Sequence, residues 1–86
     1  SFFGAEYDDL PEPVRKDVQT FADVNIDWLT TQLVASGLAS EKASKARAQA
    51  IFAAIAGAQL LARSRSDIAL FDAMIESFLG AGILPA

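Results

Sequence analysis

The chain has 86 residues, which is enough for one small domain and no more. With 52% hydrophobic and 21% charged residues, its composition is that of a globular protein and not of a disordered one. The absence of Cys and His excludes disulfides, thiol and imidazole catalysis and ordinary zinc sites, while the net charge of −4 without a basic cluster argues against nucleic-acid binding by this segment itself.

The first helix is predicted over about residues 13–36, after a lead-in segment at residues 1–10. Pro11 and Pro13 mark its start, because proline fits only the first turn of a helix. Gly37 is placed to take the left-handed conformation that ends it. The helical wheel shows two adjacent apolar stripes. One comprises Ala22, Ile26, Leu29 and Leu33, and the other comprises Val14, Val18, Phe21 and Trp28.

The second of these stripes also contains two amides, Asn25 and Gln32. A buried amide needs hydrogen-bond partners, so two interpretations are open. The amides lie at the edge of the core and reach water, or they line a pocket together with the aromatic residues. In the pocket interpretation, a small and largely apolar molecule binds at Phe21, Asn25, Trp28 and Gln32.

The second helix is predicted over 41–65, with Ser40 and Glu41 suited to its N-cap and first turn. Its apolar arc is so wide that the helix must be buried on more than one side. Small residues at three- and four-residue spacing form a ridge along one flank, which lets another helix approach closely. The ridge is formed by Ala46, Ala50, Ala53, Ala54, Gly57 and Ala58. An internal Ala-rich core helix is one interpretation, and burial against a second subunit is the one we expect.

The third helix is predicted over 67–79, after a cap at Ser66 and Asp67. Ile68, Phe71, Ile75, Phe78 and Leu79 recur on it at helical spacing. Asp72 and Glu76 fall outside that stripe and are read as a solvated face, since no second acid, base or metal ligand accompanies them. The three elements together predict an all-α fold, with residues 11–86 as one helical domain.

No catalytic constellation is found in the sequence. Ser36, Ser40 and Ser64 lack any His partner, and neither a glycine-rich phosphate loop nor metal-ligand spacing is present. We therefore expect no enzyme activity, no metal and no cofactor. The longest apolar run, Ile51 to Ala58, is too short to span a bilayer, so no membrane partner is expected. Because the chain does not begin with Met and has no signal-peptide pattern, we expect a piece of a longer, cytoplasmic protein.

Three phrases carry a resemblance to a known family: LVASGLAS at the end of the first helix, AIFAAIAGAQLLARSRSD in the second, and IALFDAMIESFL in the third. Their order and lengths resemble the C-terminal domain of tetracycline-repressor (TetR) family transcription regulators. The similarity covers Pro11 to Ala86 and is strongest over Ala48 to Leu79.

The resemblance implies a homodimer in which the last two helices of each subunit form a four-helix bundle. The candidate interface residues are Ala50, Ala54, Gly57, Ala58, Leu61, Phe71, Ile75 and Phe78. The resemblance also implies that the first helix is one wall of a pocket for a small inducer, often apolar. Binding of the inducer would release a repressor from DNA. DNA would be bound only through an N-terminal helix-turn-helix domain that this chain lacks. The alternative is a stand-alone helical adaptor or protein–protein interaction module.

Overall fold

The computed structural model describes residues 7–37 and 39–85, and within these ranges the chain is helical and contains no strand. Its three long helices are α1 (Glu12–Ala35), α2 (Glu41–Ser64) and α3 (Ile68–Gly80). Each observed boundary lies within one residue of the predicted one, so the predicted all-α fold with three helices is confirmed. Residues 1–6 of the predicted lead-in lie outside the described residues.

Local capping interactions fix where the helices begin and end. The Ser40 Oγ accepts a hydrogen bond from the Ala43 backbone N–H at 3.2 Å, and an Asp67 carboxylate oxygen accepts one from the Leu70 N–H at 3.0 Å. Each satisfies one of the N–H groups that the first turn of a helix leaves unpaired. After α1, Gly37 has a φ of 75°, which a glycine adopts without steric cost.

The central helix is α2, since both α1 and α3 pack against it. Helices α1 and α2 form a hairpin whose buried centre consists of Leu33, Ala48 and Ile51. Further along the hairpin, the rings of Phe21 and Phe52 meet edge to face with their centroids 6.0 Å apart. The α1–α2 hairpin is therefore the part of the fold that shares a core.

Burial within the described residues is concentrated on α2. Of the five fully buried hydrophobic residues, four belong to this helix, and none belongs to α3. The radius of gyration is 14.5 Å, compared with about 12 Å expected for a compact chain of this length. The chain thus leaves a large share of its apolar surface uncovered, and the positions of that surface define the candidate sites.

Candidate functional site

One side of α2 remains open after α1 and α3 have packed against the helix. Ala46, Ala50 and Ala53 are exposed, and Ala54 and Gly57 are half-buried. We call these five residues the small-residue flank. Ala46, Ala50, Ala53 and Gly57 follow one another at intervals of three or four residues on α2, and Ala54 lies beside them, away from the residues that the hairpin buries. The flank is a narrow apolar surface without bulky side chains, which suits the close approach of another helix.

Gly57 is the residue of this flank that the chain's own packing does not explain. It lies well inside α2, where glycine is less favourable than alanine by about 1 kcal/mol. A Cβ atom built on Gly57 would meet nothing within 4 Å, so no neighbour among residues 7–37 and 39–85 requires glycine there. Gly57 therefore leaves room for a close helix contact on this face.

Ala58 is predicted at the dimer interface together with these residues, but it differs from them in its burial. It is only 2% exposed within the single chain, so it packs inside the subunit and is not available to a partner. The helical wheel identifies the apolar arc of α2, but it does not indicate which part of that arc the chain covers itself. Ala50, Ala54, Gly57 and the exposed Leu61 remain open enough to meet a second molecule.

The candidate interface residues on α3 are Phe71, Ile75 and Phe78, and all three are half-buried. They belong to the apolar side of a helix that has no fully buried residue and, among the described helices, packs mainly against α2. Each therefore retains surface that a second molecule can cover.

An open groove lies where α2 ends and α3 begins. It has a volume of about 550 Å³, and its walls include Ala62, Arg63 and Phe71. Ile68, at its rim, is 80% exposed, which is unusual for a large aliphatic side chain with apolar neighbours. The sequence did not predict this groove, because it forms around the chain reversal at Ser66 and not along one helix face.

The four candidate ligand residues share an exposed face of α1. Phe21 and Trp28 are 64% and 62% exposed, and Gln32 is exposed as well. Asn25 is half-buried, and its Nδ2 donates a hydrogen bond of 2.8 Å to the Phe21 carbonyl one turn earlier. Val24, equally exposed beside them, was missed by the sequence analysis. In this chain the amides reach water, and the four residues form an open wall and not an enclosed pocket.

The described residues contain no helix that is both long and apolar enough to cross a membrane. Within the same ranges, no cluster of three or more carboxylates is arranged to hold a metal ion. No protein-family model, curated protein or solved structure matches the chain.

Proposed function

We propose that this chain is the dimerisation and partial ligand-binding domain of a TetR-like transcription regulator, of the type in which a small, apolar inducer releases a repressor from DNA. The observation that carries the proposal is the small-residue flank of α2, which has an unexplained Gly57 at its end and is left open by the chain. Helices that are apolar on two sides need a second covering surface. A second copy of the same flank provides one.

The arrangement that fits these surfaces is a two-fold dimer with α2 and α3 at its centre. In an isologous contact each copy presents the same patch, so an exposed flank of one subunit is covered by that of its partner. Small side chains bring two helix axes close together, and the half-buried Phe71, Ile75 and Phe78 extend the apolar surface beyond α2. The same contact would bury the exposed side chain of Leu61, which borders the flank.

The ligand-binding part of the proposal rests on α1. Its exposed face combines two aromatic side chains with two amides, and it has no cationic residue among Phe21, Val24, Asn25, Trp28 and Gln32. Such a wall favours a neutral, largely apolar molecule that accepts or donates one or two hydrogen bonds. The remaining walls would come from parts of a longer protein, as would the DNA-binding domain.

Sedimentation equilibrium of the chain at micromolar concentration tests the dimer. We expect a dimer for the wild type and a weaker one for Ala54→Leu, since overpacking a close helix contact costs about 1–3 kcal/mol. The control is Thr20→Leu, which adds a leucine to the exposed polar side of α1 and should leave the association unchanged. A folded wild-type monomer at this concentration would overturn the proposal and favour the adaptor interpretation.

The α1 wall is tested with the fluorescence of Trp28, the chain's single tryptophan, during titration with N-phenyl-1-naphthylamine as a neutral apolar probe. The double variant Asn25→Leu, Gln32→Leu keeps the aromatic residues and removes the amides. We expect the double variant to change the response of Trp28 to the probe. If it gains stability and responds as the wild type does, the amides are surface residues only.

A further inference from the structure

The last residues of the chain turn back from the end of α3 onto the α1–α2 hairpin. Gly82 has a φ of 76°, and the backbone N–H groups of Ile83 and Leu84 both donate to the Phe78 carbonyl, at 2.9 and 3.2 Å. These bonds satisfy the Phe78 carbonyl in the last turns of α3 and accompany a reversal of the chain direction. The tail is thus held in one defined conformation by its own backbone.

Two contacts then tie this tail to the rest of the fold. Leu84 packs against the buried centre of the hairpin, formed by Leu33, Ala48 and Ile51. The Arg47 Nη2 donates a hydrogen bond of 3.1 Å to the Gly82 carbonyl, joining groups that are 35 residues apart in the sequence. One contact is apolar and the other polar, and they involve different residues of α2. The tail is therefore attached at two independent points.

Helix α3 depends on this attachment because its own packing is shallow. None of its 13 residues is fully buried, and it packs on α2 without sharing the centre that α1 and α2 form. Leu84 is the residue that carries the α3 end of the chain into that centre. We propose that residues 82–85 form a strap that fixes α3 on the α1–α2 hairpin, and that releasing the strap lets α3 detach while the hairpin remains folded.

The strap is a conformational device that does not depend on the chain being part of a regulator. Segments with few buried apolar contacts open locally at a lower free energy than the whole domain. With the strap in place, α3 opens together with the hairpin. Without it, α3 becomes a separate and less stable unit.

Native-state hydrogen exchange of Leu84→Ala tests the strap, with Ile83→Ala as the control. Ile83 is the adjacent tail residue, it is exposed, and it is not among the residues packed on the hairpin centre. In Leu84→Ala we expect the amides of α3 to exchange about tenfold faster than in the wild type, while those of α1 and α2 change much less. In Ile83→Ala we expect the amides of all three helices to exchange as in the wild type.

Arg47→Met removes the other attachment and leaves the apolar centre intact, so it decides the question even if Leu84→Ala does not fold. We expect faster exchange confined to α3 at a protein concentration low enough for the chain to be monomeric, which separates the effect from any self-association. The proposal is overturned if α3 is unaffected in Arg47→Met, or if the amides of all three helices accelerate by the same factor.

Discussion

Replacing Gly57 with alanine is predicted to have opposite effects on the subunit and on the dimer. In the single chain the added methyl group meets nothing within 4 Å, so it causes no clash there. Alanine in a helix interior is more favourable than glycine by about 0.8–1.0 kcal/mol, so the subunit should gain about that much stability. Across a close helix contact, the same methyl group overpacks. A cost of about 1–3 kcal/mol there raises the dimer dissociation constant roughly 5- to 150-fold.

Two measurements on the same protein separate these effects. Urea unfolding at a concentration where the subunit is monomeric gives the gain in stability, and sedimentation equilibrium gives the dissociation constant. Gly80→Ala is the matched control, because Gly80 ends α3 and its added Cβ also meets nothing within 4 Å. We expect no change of its dissociation constant. If Gly57→Ala dimerises as tightly as the wild type, then the glycine is not a point of close approach.

Further predictions concern positions inside the subunit. Ala58→Leu should destabilise the monomeric subunit by about 1–3 kcal/mol, because Ala58 is already packed within the chain. An unchanged unfolding midpoint together with weaker dimerisation would instead show that Ala58 lies at the dimer interface. Ser66→Gly should stabilise the chain by about 0.5–1 kcal/mol in urea unfolding. Ser66 has a φ of 50°, and the backbone strain that glycine relieves there exceeds the entropic cost of fixing a glycine. A loss of stability would contradict this prediction. Ser44→Ala should add about 1 kcal/mol to the free energy of unfolding by the same assay, because the buried Ser44 Oγ has no hydrogen-bond partner among the described residues. A less stable variant would mean that the hydroxyl is satisfied.

The first and last residues of the helices could be predicted closely because they depend on residues nearby in the sequence. Each helix limit depends on residues within one turn of it. These residues are Pro11 before α1, Gly37 after it, and the capping side chains of Ser40 and Asp67 before α2 and α3. Each needs no information about distant packing. The apolar arcs of the helices are local in the same sense.

Which residues of an apolar arc the subunit buries, and which it leaves exposed, could not be predicted because this depends on how the helices pack in three dimensions. The wheel places Ala54 and Ala58 on one ridge, but the subunit buries Ala58 and leaves Ala54 half open. Leu84 could be described from the sequence only as part of a short apolar end. Its contact with the hairpin centre, like the bond from Arg47 to Gly82, joins residues far apart in the chain.

The predicted ligand residues show the same limit. Sequence spacing correctly puts Phe21, Asn25, Trp28 and Gln32 on one side of α1, since residues three and four apart share a helix face. Whether that face is a core, a surface or a pocket wall depends on what covers it. In the chain described here the face is open, so the pocket stays a proposal.

If two copies of this chain meet along the small-residue flank of α2, a reagent of short reach will join cysteines placed on the two flanks. The chain has no cysteine, so Ala53→Cys introduces a single thiol in the middle of the flank. Asp23→Cys, on the exposed polar side of α1, is the control. With a short bismaleimide reagent at micromolar protein, we predict a covalent dimer for Ala53→Cys and monomers for Asp23→Cys. If the folded Ala53→Cys protein is joined no more efficiently than the control, the two copies do not meet at this flank.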